Sequence, residues 1–102
     1  METPTPLRLK SARKAAGLTQ QQLGMALGME PNTASARMNQ YEKGKHAPDF
    51  LTMKRIAKEL DVPVAYFYSD DDSLAELILI FNKMNENQKE MLLSQLKINK
   101  ES

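Results

Sequence analysis

Apolar residues recur along this chain at three- and four-residue intervals, and no stretch alternates with period two over a useful length. That is the signature of packed helices without strands. Pro4 and Pro6 are expected to keep the first residues extended. A run of helix formers from Leu7 to Ala16 follows, placing Leu9, Ala12 and Ala16 on one face, and Gly17 stops it. Thr19 is placed to cap a second helix carrying Leu23 and Leu27, which Gly28 ends after about two turns. A third helix, Pro31 to Tyr41, turns Ala34, Met38 and Tyr41 inward and leaves Ser35, Arg37, Asn39 and Gln40 outside. Gly44 breaks it, and Pro48 restricts the residue before it, so Lys43 to Ala47 reads as a loop. Asp49 then caps a fourth helix with Phe50, Met53, Ile56, Ala57 and Leu60 at helical spacing. Asp61 to Pro63 marks a turn into a short fifth helix holding Val64 and Phe67.

The pattern changes after Tyr68. Asp70, Asp71 and Asp72 read as a solvated acidic linker in preference to a calcium site, and Ser73 can cap a sixth helix bearing Leu74, Leu77, Ile78 and Phe81. Asn85 with Gln88 forms a capping box opening a seventh helix with Met91, Leu92 and Leu96, and Asn99 to Ser102 are expected to fray. The chain therefore divides into residues 1–68 and a helical hairpin, residues 69–102. From Leu77 to Phe81 the sixth helix is apolar nearly all round, which implies burial from two directions. Self-association as a two-fold dimer through Leu77, Ile78, Ile80 and Phe81 is the simplest solution. Complete burial within one chain is the alternative.

Composition narrows the class of function. With 102 residues, 41% hydrophobic and 26% charged, the chain suits one small globular domain with an appendage. Its longest apolar stretch is too short to span a bilayer, and the residues after Met1 lack a basic and an apolar segment, so a cytoplasmic protein is expected. There is no cysteine, one histidine, no Gly-rich phosphate loop and no acid pair at metal-ligand spacing. No catalytic residue, metal site or cofactor is expected, and an enzyme is disfavoured. The net charge of +1 hides an asymmetry: residues 1–68 hold ten Lys/Arg against six Asp/Glu (+4), and the rest four against seven (−3). The basic part suits a polyanionic partner.

Helices two and three, joined by a tight Gly-containing turn, follow the helix-turn-helix plan, in which the second helix enters the major groove. From Leu7 to Phe67 the sequence resembles the lambda-repressor-like, or XRE-type, helix-turn-helix family. Its motifs appear in order: Arg13, Gly17, Leu18, Thr19 and Gln20; Leu27 and Gly28; Glu42, Gly44 and Pro48; then Ile56, Ala57, Leu60 and Val62. The resemblance implies a five-helix DNA-binding domain, here followed by the C-terminal hairpin, and a small residue after Leu23, where Gly24 stands. It implies a structural ion pair between Arg13 and Glu42, and a phosphate contact from Gln20 that also braces helix three. Counted back from Glu42, its base-reading positions fall on Ser35, Ala36, Arg37 and Gln40, with Asn39 on an adjoining row. Arg37 is the strongest candidate, because a guanidinium can bond guanine O6 and N7 together. Lys43, Lys45 and His46, in the loop after that helix, can meet phosphates through side chains and free backbone N–H groups.

One departure stands out. Gly28 to Glu42 is longer than the family's usual spacing by about one helical turn. The extra residues either lengthen the turn, which leaves the count from Glu42 intact, or extend helix three, which brings Asn32, Thr33 and Ser35 to the bases first. The expected function is a transcriptional regulator, a repressor before an activator, that binds double-stranded DNA as a homodimer on a palindromic operator. No small-molecule effector is evident. The rival reading is a protein-binding module of the same fold, antitoxin-like or an anti-regulator, acting through Leu77 to Phe81.

Overall fold

Six α-helices and one 3-10 helix make up the computed structural model, which describes residues 3–101, with backbone alone at Lys100 and Glu101. In order they are α1 (Thr5–Ala15), α2 (Gln20–Ala26), α3 (Pro31–Glu42), α4 (Phe50–Leu60), the 3-10 helix (Val64–Tyr68), α5 (Asp72–Asn82) and α6 (Glu86–Glu101). The fold is all-α, with no strand among the described residues. None of these helices is long and apolar enough to cross a membrane.

Local chemistry explains most boundaries. Thr19 and Gln22 close a reciprocal capping box at the start of α2, Thr19 Oγ1 accepting from Gln22 N at 3.0 Å and Gln22 Oε1 from Thr19 N at 2.9 Å. Asn85 and Gln88 do the same before α6, at 2.8 and 3.0 Å. Asp49 caps α4, and the backbone N–H of Thr52 donating to its carboxylate holds that acid below the ordinary carboxylate range. At the end of α2, Gly28 takes φ +94°, Met29 N donates to Gly24 O at 3.0 Å and Gly28 N to Met25 O at 2.9 Å. This paired closure needs a left-handed residue, a conformation that a Cβ penalises.

Four local expectations are corrected. Pro4 adopts helical angles and α1 begins at Thr5, because a proline in the first turn lacks only an N–H that the helix would not use. Ala16 is exposed, being the C-cap of α1 and not part of its inward face. The short fifth helix holds Val64 and Phe67 as expected and is of the 3-10 type. Asp71, not Ser73, caps α5, its carboxylate accepting from Leu74 N at 2.9 Å. Asn99 to Glu101 are helical and form the end of α6; Ser102 lies outside the described residues.

The core lies within the first 68 residues, where Leu9, Leu23, Met38, Met53, Ile56 and Phe67 are fully buried. α4 carries the clearest buried stripe, Met53, Ile56, Ala57 and Leu60. Phe50, expected on that stripe, is 55% exposed and stacks on Tyr68 with ring centroids 6.4 Å apart. The hairpin joins this core through Ala75 of α5, which is fully inserted, through Ile78 and Leu79, which pack against it half-buried, and through Arg8 of α1. Arg8 donates from Nε to Ser69 O at 3.0 Å and pairs with Asp72 at 2.9 Å.

α2 and α3 meet at Gly24. A Cβ there would lie 2.6 Å from Ala34 Cβ and 2.9 Å from Ala34 Cα. Gly24→Ala gains about 1 kcal/mol of helix propensity, yet overpacking against backbone atoms costs about 1–3 kcal/mol. The variant is expected to unfold at lower urea concentration than the wild type; an unchanged or higher midpoint would show that the two helices can separate freely.

Candidate nucleic-acid interface

The candidate interface is built on one buried ion pair. Arg13, near the end of α1, donates to Glu42 at the end of α3 through both Nε (2.6 Å to Oε2) and Nη2 (3.1 Å to Oε1). Its Nη1 donates to Leu18 O at 2.8 Å, so one guanidinium ties α1, the turn before α2 and α3 together. The side chains are 10% and 3% exposed, which protects this fork geometry from water.

Gln20 extends the network across to α3. Its Nε2 donates to Glu42 Oε1 at 3.1 Å and to Asn39 Oδ1 at 3.2 Å. Ser35 Oγ lies 3.5 Å from Gln20 Oε1, at the limit of a hydrogen bond. Both hydrogens of the Gln20 amide are therefore engaged inside the protein. Two further contacts that no linear motif indicates hold the turn: Gln21 Nε2 donates to Pro31 O at 3.1 Å, and Arg55 Nη2 of α4 donates to Leu27 O. Arg55 acts across 28 residues of sequence, so spacing within the motif carries no signal for it.

The turn between α2 and α3 spans four residues, Leu27 to Glu30, and α3 runs twelve residues from Pro31. The extra length therefore lies in the helix. Pro31, Asn32 and Thr33 form an exposed first turn ahead of Ser35, and Thr33 Oγ1 donates back to Glu30 O at 3.2 Å. Along the outward face Ser35, Ala36, Arg37 and Asn39 are exposed and Gln40 is half-buried. Arg37 has no hydrogen-bond or ion-pair partner among the described residues. The face carries no acidic residue between Pro31 and Tyr41.

Lys43, Lys45 and His46 are exposed in the following loop. Their backbone N–H groups are not free: Lys43 N donates to Asn39 O, and Lys45 N and His46 N both donate to Gln40 O. These bonds close the end of α3, so Lys43, Lys45 and His46 have their side chains alone to offer an anion.

The hairpin residues lie away from this face. Leu77 and Ile80 are 42% and 50% exposed, whereas Ile78 and Phe81 are half-buried. Between α5 and α6 runs an apolar groove of about 400 Å³ whose lining includes Leu74, Leu77, Ile78, Phe81, Leu92 and Leu96. The chain by itself leaves this surface open, so complete burial within one protomer is not what the structure adopts.

The helix-turn-helix family profile matches residues 9–67. Over 90 residues, 83% of this chain and 78% of the relative, the sequence is 30% identical to the cryptic phage CTXphi transcriptional repressor RstR of Vibrio cholerae. The crystal structure of the transcriptional regulator BswR is similar with a TM-score of 0.88 at 46% identity, over 90% of this chain and 91% of that one. That coverage exceeds what residues 9–67 can supply, so the likeness extends into the hairpin.

Removing Glu42 strands a buried guanidinium. Glu42→Ala is expected to lose about 3 kcal/mol of unfolding free energy, the usual cost of breaking a buried pair from one side. Urea denaturation measures it; a loss below about 0.5 kcal/mol, typical of a surface pair, would show that water reaches the pair.

Proposed function

Because the chain belongs to the lambda-repressor-like, XRE-type helix-turn-helix family of DNA-binding transcriptional regulators, we propose that it represses transcription in the cytoplasm as a two-fold dimer. Each protomer lays α3 into the major groove over one half of a palindromic operator. The observation that carries this reading is the outward face of α3. It is largely polar, free of acids, exposed from Ser35 to Arg37 and at Asn39, and braced from behind by the Arg13–Glu42–Gln20 network.

Base readout falls to Arg37, which can bond guanine O6 and N7 together, and to Gln40, which can pair with adenine. Ser35, Ala36 and Asn39 complete the set. The additional first turn brings Asn32 and Thr33 to the leading end of the helix, where groove-reading helices make their first base contacts. Lys43, Lys45 and His46 face phosphates through their side chains, which positions the helix without selecting sequence. Gln20, which the resemblance makes both a phosphate contact and a brace, has both amide hydrogens held by Glu42 and Asn39 and acts here as the brace of α3.

Dimerisation rests on surface and shape. The chain exposes 7321 Å², against about 5,800 Å² for a compact monomer of its 11.5 kDa. Its radius of gyration is 15.8 Å, where about 13 Å is usual for 100 residues. That excess surface is about 1,500 Å² per chain, of the order that each protomer gives up in an obligate dimer, and Leu77, Ile78, Ile80 and Phe81 beside the groove are the apolar residues placed to form one. Small-molecule sites combine apolar walls with a few fixed polar anchors. This groove is lined mainly by aliphatic side chains and Phe81, with only Asn82 and Lys89 polar, which suits another helix better. The same observation favours the second reading, a partner protein recruited through the hairpin.

Two measurements test the proposal. Wild type titrated on fragments of its own promoter region across salt should show sequence-preferring retention that falls steeply with ionic strength. Arg37→Ala should weaken that retention roughly 5- to 150-fold, the worth of one bidentate base contact, and leave binding to unrelated duplex nearly unchanged. No retention by wild type at low salt would sink the regulator reading. For assembly, sedimentation equilibrium should give a dimer for wild type and a monomer for Leu77→Glu at micromolar concentration; a wild-type monomer would move the groove to the partner-protein reading.

A further inference from the structure

We propose that Asn39 is a hydrogen-bond donor to DNA whose amide is turned outward by the Arg13–Glu42 pair acting through Gln20. The inference rests on α3 being the groove-facing helix and names the chemistry of one position on it. Its polarity is forced step by step. Glu42, paired with Arg13, is a carboxylate that can only accept, so the Gln20 atom 3.1 Å from its Oε1 must be the amide nitrogen. The second hydrogen of that nitrogen then meets Asn39 at 3.2 Å, and Asn39 must present its oxygen there. The opposite branch of the planar Asn39 amide, Nδ2 with its two hydrogens, is turned away from Gln20 on an exposed residue.

An unconstrained asparagine on a helix surface can turn its amide over and offer either a donor or an acceptor. Asn39 cannot do so without setting one NH2 group against another. A fixed donor matches acceptors alone, which on DNA are phosphate oxygens or, on the floor of the major groove, purine N7, guanine O6 and thymine O4. Gln20, with both amide hydrogens held by Glu42 and Asn39, is a positioning residue in this arrangement, and Asn39 makes the contact.

The test uses full-length protein on a promoter fragment that the wild type retains and on an unrelated duplex of equal length. Asn39→Ala should bind the promoter fragment about tenfold more weakly, the loss expected for one hydrogen bond to a charged or strongly polar acceptor. Asn39→Asp keeps the acceptor toward Gln20 and replaces the outward donor with a carboxylate, so its loss should exceed that of Asn39→Ala. Gln20→Met should weaken binding by part of the same factor, and adding Asn39→Ala to it should cost less than in the wild-type background. Equal thermal midpoints for the Asn39 variants exclude a folding defect. The same factor on both duplexes identifies a phosphate acceptor, and a factor confined to the promoter fragment identifies a base; either supports the proposal. Asn39 variants that bind as wild type, or penalties for Gln20→Met and Asn39→Ala that multiply independently, overturn it. Wild type that retains neither duplex defeats the reading of α3 itself, an outcome distinct from both.

Discussion

Arg13 and Glu42 lie 29 residues apart in sequence, and their two-pronged ion pair is the contact on which the rest of the interface depends. Taking both charges out of water is costly, and such a pair is tolerable because each charge finds the other in fork geometry and Arg13 also satisfies the Leu18 carbonyl. Its consequence is more geometric than energetic. α1 is anchored in the core through Leu9 and Ala12, so fixing the end of α3 to α1 fixes the outward face of α3 relative to the whole domain. Gln20 can read that geometry because one lone-pair edge of Glu42 remains for it.

The opposite end of α3 is set by close packing in place of charge. Gly24 lets the backbone of α2 approach Ala34, and a methyl group at that point would collide with backbone atoms that have no room to retreat. The closure at Gly28 turns the chain sharply, and Arg55 and Gln21 hold the carbonyls on either side of the turn. α3 is thus clamped at its start by packing and at its end by an ion pair. The nine residues from Ala34 to Glu42 between the two clamps make a stiff element.

The hairpin obeys a different constraint. α5 reaches the core through Ala75, with Ile78 and Leu79 packed against it, and leaves Leu74, Leu77 and Ile80 exposed. Between α5 and α6 the groove lined by Leu74, Leu77, Phe81, Leu92 and Leu96 stays open. Arg8, bonded to Ser69 O and Asp72, fixes the linker against α1, so the direction of the hairpin is built into the domain and does not hang on a flexible tether.

Helical periodicity, the caps at Thr19, Asp49 and Asn85 and the glycine stops were legible in the chain because they depend on neighbours within about five residues. So were the motifs of the helix-turn-helix and the choice of α3 as the outward-facing helix, since a buried stripe of Ala34 and Met38 leaves one face to solvent. Sequence alone could not place the added turn at the start of α3, because a longer loop and a longer helix satisfy the same spacing. Nor could it show that the loop N–H groups of Lys45 and His46 are used up by Gln40, or that Phe50 stacks on Tyr68 outside the core. The orientation of the Asn39 amide was the least legible of all. It is decided by three side chains from three helices meeting within hydrogen-bond distance, and such a meeting exists only after the tertiary structure has formed.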